Sequence, residues 1–117
     1  MAALVTDVGE QQIAQRINGA GTKPDWIGSG TDATAEAEGN TALGTEVETR
    51  DQDASPSVTT DTYTVVVTHT YGASFTIVEA GLLDASSGGN MYVRGTFGGI
   101  TVGSGDKIEF TIDLQIT

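Results

Sequence analysis

The last segment of the chain carries the clearest pattern. Ile108, Phe110, Ile112, Leu114 and Ile116 alternate without a fault with Glu109, Thr111, Asp113 and Gln115. A period of two places each set on its own face, so the segment predicts a half-buried antiparallel strand running to the end of the sequence. Residues 62–71 behave the same way. Tyr63, Val65, Val67, His69 and Tyr71 share one face, with Thr64, Val66, Thr68 and Thr70 opposite. Their β-branched content favours a strand over a helix. Gly72 and Ala73 then turn the chain into residues 74–79, where Phe75 and Ile77 point one way, and the two strands read as a hairpin. After residues 80–84 the Ser86-Ser87-Gly88-Gly89-Asn90 cluster marks a turn. Residues 91–97 form the next predicted strand, with Met91, Val93 and Phe97 alternating against Tyr92, Arg94 and Thr96. Gly98, Gly99, Gly103 and Gly105 bracket a short strand over 100–102.

The first half is less regular. Ile13 and Ile17 lie four apart and share one helical face, Asp7 supplies a cap, and Gly19 with Gly21 supplies a stop. A short N-terminal helix is expected there, preceded by a small apolar arm over residues 1–5. A brief strand follows over 25–28 around Trp26, the only tryptophan. Residues 29–56 turn small, polar and acidic, with Asp32, Glu36, Glu38, Glu46, Glu48, Asp51 and Asp53 against one Arg50. Leu43 and Val47 are four apart, which suits a short helix over 40–50. The rest reads as a long acidic loop anchored by those two residues and Trp26, and loops of that length are functional or ordered by a partner. Short strands at this spacing indicate a mainly β chain: one antiparallel β-sandwich or jelly-roll-like domain over 1–117, with a short N-terminal helix and a long acidic loop.

Composition narrows the function. A chain of 117 residues makes one domain with one modest core, and 38% hydrophobic against 6% aromatic residues means an aliphatic core. With no cysteine there is no disulfide, thiolate metal site or cysteine nucleophile. No apolar run reaches membrane-spanning length, and the opening residues lack a basic region, so neither a span nor a secretory signal is expected. Sixteen acidic residues against five basic ones give a net charge of -11, a field that repels phosphate backbones and anionic lipid. No nucleic-acid or membrane partner is expected. Lys23 and Lys107 are the only lysines, a balance that suits either a plain acidic surface or a salt-rich habitat, where screening acts within about 3 Å.

Candidate chemistry is thin. His69 is the only histidine and shares a strand face with Val65 and Val67, the setting of a core or interface residue rather than a base or ligand. None of the seven serines sits in a G-x-S-x-G elbow, and no second histidine exists to serve as a base. Asp51 and Asp53 have alternate spacing, but the glycine and glutamate of a calcium-binding EF-hand loop are missing, so a solvated acidic loop is expected. One tryptophan and three tyrosines make a poor set of sugar platforms for a glycosidase. Gly28-Ser29-Gly30 and Gly103-Ser104-Gly105 lack the residues of a phosphate loop and read as turns. No catalytic residue, cofactor or metal is assigned, and the protein is expected not to be an enzyme.

The ordered set of segments says more than any single site. Leu4-Val5-Thr6-Asp7-Val8-Gly9-Glu10-Gln11-Gln12-Ile13-Ala14 resembles the short N-terminal helix of tail-collar-type proteins. Ile27-Gly28-Ser29-Gly30-Thr31-Asp32 is similar to their strand-turn, and Asn40-Thr41-Ala42-Leu43-Gly44-Thr45-Glu46-Val47, closed by Arg50, resembles a recurring element that follows it. Thr76-Ile77-Val78-Glu79-Ala80-Gly81-Leu82-Leu83-Asp84-Ala85 is the strongest match, followed by a glycine-rich turn and Met91-Tyr92-Val93-Arg94. The chain thus resembles the small β-rich structural proteins of tailed viruses, of the tail-collar, fibre and capsid-decoration type. Leu83 stands where that pattern often has phenylalanine, and no repetitive shaft is present, which favours a compact virion component over a long fibre.

The resemblance implies a virion structural protein, foremost a capsid decoration, cement or turret subunit bound to the outer shell. Its partners would be copies of itself, in a homo-oligomer, and the major capsid or other virion proteins. The arm over 1–5 and the loop over 29–56 are the expected gripping elements. A tail, collar or baseplate component involved in host attachment is the second reading. A carbohydrate-binding module is the third, and it needs Trp26, Tyr63, Tyr71 or Tyr92 clustered on an exposed face. Glu79 meets Gly81 at a strand end, so its carboxylate is expected to accept backbone N–H bonds or pair with Arg94. Leu82 and Leu83 are expected to close one end of the sandwich.

Overall fold

The computed structural model describes residues 2–117, so Met1 of the expected arm lies outside the described residues. In order, the elements are β1 (Ala2–Val5), α1 (Asp7–Ile17), β2 (Trp26–Gly30), β3 (Glu46–Gln52), β4 (Ser57–Thr59), β5 (Thr62–Thr70), β6 (Phe75–Leu83), β7 (Met91–Val102) and β8 (Lys107–Gln115). The chain is mainly β, as its residue pattern predicts. A five-stranded antiparallel sheet runs β1-β7-β6-β2-β3, and a three-stranded one runs β4-β5-β8. The two share one core. Ile27, Ile77, Ala80, Leu82, Tyr92 and Val93 come from the larger sheet; Val65, Val67, Phe110, Ile112 and Leu114 come from the smaller.

The two strongest alternating segments pair with each other. β5 and β8 run antiparallel from Thr62 opposite Gln115 to Thr70 opposite Lys107 without a register shift. Phe110, Ile112 and Leu114 face inward with Val65, Val67, His69 and Tyr71, while Ile116 lies beyond the strand and is exposed. The single helix is capped by Thr6 rather than Asp7. The Thr6 hydroxyl accepts the Gly9 N–H at 2.9 Å and donates to the Met91 carbonyl at 2.5 Å, joining the helix start to β7. Asp7 falls in the first turn, where its charge favours the helix dipole. Gly9 is the one buried helix residue, and it is a glycine because any Cβ there would meet the Tyr92 backbone.

Several local expectations are corrected. The described part of the arm, residues 2–5, is an edge strand with Ala2 opposite Thr96 and Val5 opposite Val93. β5 and β6 are not a hairpin: β5 bonds to β4 and β8, whereas β6 bonds to β2 and β7. Both strands carry an inward apolar set, and crossing between sheets at residues 71–74 lets the two sets face each other. Gly28-Ser29-Gly30 is a strand rather than a turn, and the segment over 40–50 holds strand β3 rather than a helix. The expected acidic loop over 29–56 is therefore not one loop: β2 takes its start and β3 divides it, leaving 31–45 as the connection between them. β7 runs unbroken to Val102, through the glycines expected to interrupt it. Leu82 and Leu83 do not close one end together. Leu82 lies in the shared core, while Leu83 packs with Leu43, Met91 and Trp26 on the opposite face of the larger sheet. A register shift explains the faces of β7: Leu82 opposes Val93 and Leu83 opposes Met91, so Tyr92 is an extra residue and turns inward beside Val93.

Ile112 opposes Val65 inside the shared core and is 2% exposed. Ile112→Asp is expected to cost about 4 kcal/mol or more, by burying an unpaired charge, and to abolish the cooperative melting transition. A melt superimposable on that of the unsubstituted chain would show that Ile112 does not face the second sheet.

Candidate functional site

The outer face of the larger sheet is covered by the loop over residues 31–45, between β2 and β3. A small apolar cluster of Leu43, Leu83 and Met91, with Trp26 against it, holds one end. The other end is held by Glu79, whose side chain has no solvent exposure. Its Oε1 accepts the Gly44 N–H at 2.9 Å and the Arg94 Nε–H at 3.0 Å. Its Oε2 accepts the Thr45 N–H at 2.9 Å and the Asp32 N–H at 3.1 Å. Arg94, also buried, turns two further donors to the same loop, reaching the Asn40 Oδ1 and the Asp32 carbonyl, each at 3.3 Å. Both alternatives expected for Glu79 therefore occur together. A carboxylate has about four acceptor positions, so Glu79 is saturated and anchors the loop.

Sequence dictates this arrangement locally. Glu79 lies opposite Gly30 on β2, and a Cβ at Gly30 would approach its Oε2 within 2.5 Å and collide with the Thr45 carbonyl. Glycine there is what lets the loop close over the carboxylate. Further tethers follow along the loop. Thr96 donates to Glu36 at 2.5 Å, and that bond first, then the Glu36 backbone, holds the Glu36 carboxyl below its ordinary range. Asp32 is lowered chiefly by the Thr34 backbone N–H, which it accepts at 2.8 Å. Beyond the loop, Arg50 grips Glu46 with two bonds of 2.8 and 3.0 Å and donates to the Ala85 and Gly88 carbonyls, tying β3 to the glycine-rich turn. The backbone N–H groups of Asp32, Gly44 and Thr45 were not identifiable from residue type, since any residue carries that donor. Only the juxtaposition of Glu79, Gly81 and Arg94 pointed to the anchor.

His69 is buried at the meeting of the two sheets, as its strand face predicted. Its Nδ1 lies 2.8 Å from the Asp51 carboxylate, Phe110 stands edge-on at 5.3 Å, and its Nε2 has no partner. Burial pushes His69 below its ordinary value, opposed first by Asp51 and then by the Ile27 backbone, Glu46 and Glu48. The ring is thus held neutral, with Nδ1–H donated to Asp51. Asp51 and Asp53 do not converge on a shared ligand position: Asp53 instead accepts the Val66 and Ser55 N–H groups, both at 2.9 Å. Among the described residues no group of three metal-ligating side chains comes together. Ser29 donates to or accepts from the Tyr71 hydroxyl at 2.7 Å, both buried, and among the described residues no hydrogen bond joins Ser29 to His69.

The aromatic residues do not form an exposed platform. Tyr71 and Tyr92 are buried, and the Tyr92 hydroxyl donates to the Thr22 carbonyl at 2.6 Å. Tyr63 is half-buried, donates to the Pro24 carbonyl at 2.9 Å, and has its phenol pushed up to about 12 by burial and then by Asp25. Trp26 packs on the loop cluster.

Two outcomes follow. Glu79→Gln leaves the Arg94 cation buried without a counter-charge and is expected to cost about 3–5 kcal/mol, read from urea denaturation, with faster exchange of the Gly44 and Thr45 amides. Unchanged exchange at those two amides would show that the loop is held elsewhere. For His69 the unfolded chain takes up a proton near pH 6.5, the folded chain only at lower pH. Between those values the unfolded state binds more protons, so stability falls as pH drops through that window. His69→Gln is expected to flatten the loss between about pH 7.5 and 5.5; an equal loss in both proteins would assign that titration to another group. No family model, curated protein or solved structure matches the chain.

Proposed function

We propose that this protein is a virion structural subunit, a decoration, cement or turret protein seated on the outer capsid shell. One observation carries the reading. The separate segments that resemble tailed-virus structural proteins, namely β2 with Asp32, residues 40–47, the Glu79 to Leu83 stretch and Arg94, meet at one buried anchor. A shared motif spread over four distant stretches makes sense when its residues build one rigid element. Here that element is a tethered acidic loop presented on the outer face of a sheet. The two facing sheets form a β-sandwich of the jelly-roll-like kind, a compact block whose loops and edges are free for contact with neighbours.

In this reading the loop over 31–45 and the edge strands of the larger sheet, β1 and β3, meet the capsid protein, and the chain resides in the virion. Its net charge of -11 suits a particle that lives in a salt-rich medium, where the self-repulsion of the surface is screened. The N-terminal segment acts as an edge strand in the fold rather than as a free gripping arm.

Quantitative mass spectrometry of purified particles tests the reading. A shell decoration is expected in copy numbers comparable to the major capsid protein, and Glu79→Gln is expected to lower that occupancy. A copy number restricted to a few rings would assign the chain to the tail or collar. Its absence from particles would sink the virion reading.

A further inference from the structure

The smaller sheet ends in a long edge. β8 (Lys107–Gln115) pairs with β5 over nine residues without a register shift, and among the described residues no strand pairs with its other side. The ends of that ladder reveal which backbone groups are free. Tyr71 donates its N–H to the Asp106 carbonyl at 2.8 Å, and Ile116 donates to the Asp61 carbonyl at 3.0 Å. Even-numbered residues of β8 therefore turn their backbone groups toward β5. Because the pattern alternates along an antiparallel pair, Lys107, Glu109, Thr111, Asp113 and Gln115 turn theirs outward. An edge of this length is a template for pairing unless a bulge, a proline, a covering element or charge blunts it. β8 has none of the first three, and its exposed Lys107, Glu109 and Asp113 restrict pairing to a partner of matching charge. Beside it runs an open groove of about 330 Å³ lined by Phe97, Ile100, Ile108 and Phe110, with Ile100 40% exposed.

We propose that β8 is the interface of a two-fold symmetric homodimer, paired antiparallel with β8 of a second copy in the register centred on Phe110, giving one six-stranded sheet. Charge chooses both the occupant and the register. Centring on Glu109 would set Glu109 against its own copy, and centring on Thr111 would set Glu109 against Asp113 twice. Like charges directly opposite one another destabilise a strand pair. Centring on Phe110 sets Lys107 against Asp113 twice and Glu109 against Thr111 twice. It also keeps Lys107, Glu109, Thr111 and Asp113 all within the ladder, while shifts to Ile108 or Ile112 shorten it. The sequence of β8 is thus complementary to itself along most of its length in one register only, since centring on Ile108 pairs Lys107 with Glu109 but leaves just three residues in the ladder. Symmetry then places Phe110 on the two-fold axis and brings the groove of each copy to the interface. The inference stands apart from the virion reading and requires no capsid.

Sedimentation equilibrium of the full chain at about 0.15 M salt, over a wide concentration range, is the test, since the pairing charges are exposed and screened by more salt. The expected mass is twice the 12.0 kDa of the chain. Thr111→Pro removes an outward N–H and leaves the β5 ladder intact, so it is expected to give a folded monomer, checked by its melting transition. Lys107→Asp is expected to weaken the dimer by about tenfold, through two lost pairs and two new repulsions. Adding Asp113→Lys returns the net charge to that of the unsubstituted chain and is expected to restore the dimer. A monomer at every concentration overturns the proposal. So does a dimer indifferent to both Thr111→Pro and Lys107→Asp, which would place the contact on another surface. Should Thr111→Pro fail to fold, the charge swap alone decides: no rescue by the double variant overturns the register.

Discussion

A carboxylate cut off from water has to find every bonding partner inside the protein, and Glu79 finds four. Desolvating two charges carries a penalty of several kcal/mol per ion, which the attraction between them offsets only when the remaining donors and acceptors are also satisfied. Glu79 and Arg94 meet that condition by recruiting the loop over 31–45: three of its N–H groups on one side, a carbonyl and the Asn40 amide oxygen on the other. The loop is consequently part of the solution to the burial of the pair. Removing it would strand two charges, and neutralising either charge would release it. This reciprocity explains how an acidic stretch with few apolar residues stays ordered.

The same logic operates more weakly at His69. There the ring is kept uncharged, and Asp51, 46% exposed, retains contact with solvent while accepting one bond. One acidic side chain orients the imidazole without drawing a full ion pair into the core. The protein thus handles these two buried titratable sites in opposite ways, by pairing at Glu79 and by neutrality at His69. Acidic side chains outside these sites serve as acceptors for local backbone turns, as Asp84 does for Asn90 and Asp106 does for Gly103. Much of the negative charge is therefore organised along the backbone rather than left as an undirected surface field.

Periodicity made the smaller sheet legible, because β5 and β8 alternate cleanly and pair without irregularity. The Glu79–Arg94 relation was also legible, from one charge beside a strand glycine and one counter-charge in the next strand. What escaped was geometry set by partners. β3 reads Glu46-Val47-Glu48-Thr49-Arg50-Asp51-Gln52, with little apolar content, and its strand conformation comes from pairing with β2 and from the grips of Arg50 and Glu48. Glu48 even takes a positive φ of 60° where the register shifts, a strained choice that its bond to the Gly72 N–H helps hold. Val93 and Phe97 face the core and Arg94 and Thr96 face outward as the alternation predicts, but the inserted residue exchanges Met91 and Tyr92, and no local propensity announces such an insertion. The supposed β5–β6 hairpin failed because a short turn can equally well pass from one sheet to the other.

The connectivity has a consequence for how the molecule comes into being. β5 in the middle of the chain takes its main partner from β8, and the N-terminal β1 closes on β7, some ninety residues away in sequence. Such distant pairings must overcome the entropy of closing large loops before any contact rewards them, which makes folding slow and strongly cooperative. During synthesis the inward faces of β5 and β6 leave the ribosome well before β8 exists to cover them. The acidic stretch that emerges ahead of β5, from Asp32 to Asp61, would keep nascent chains apart during that interval. Seen this way, the charge that shapes the finished surface also protects the unfinished one.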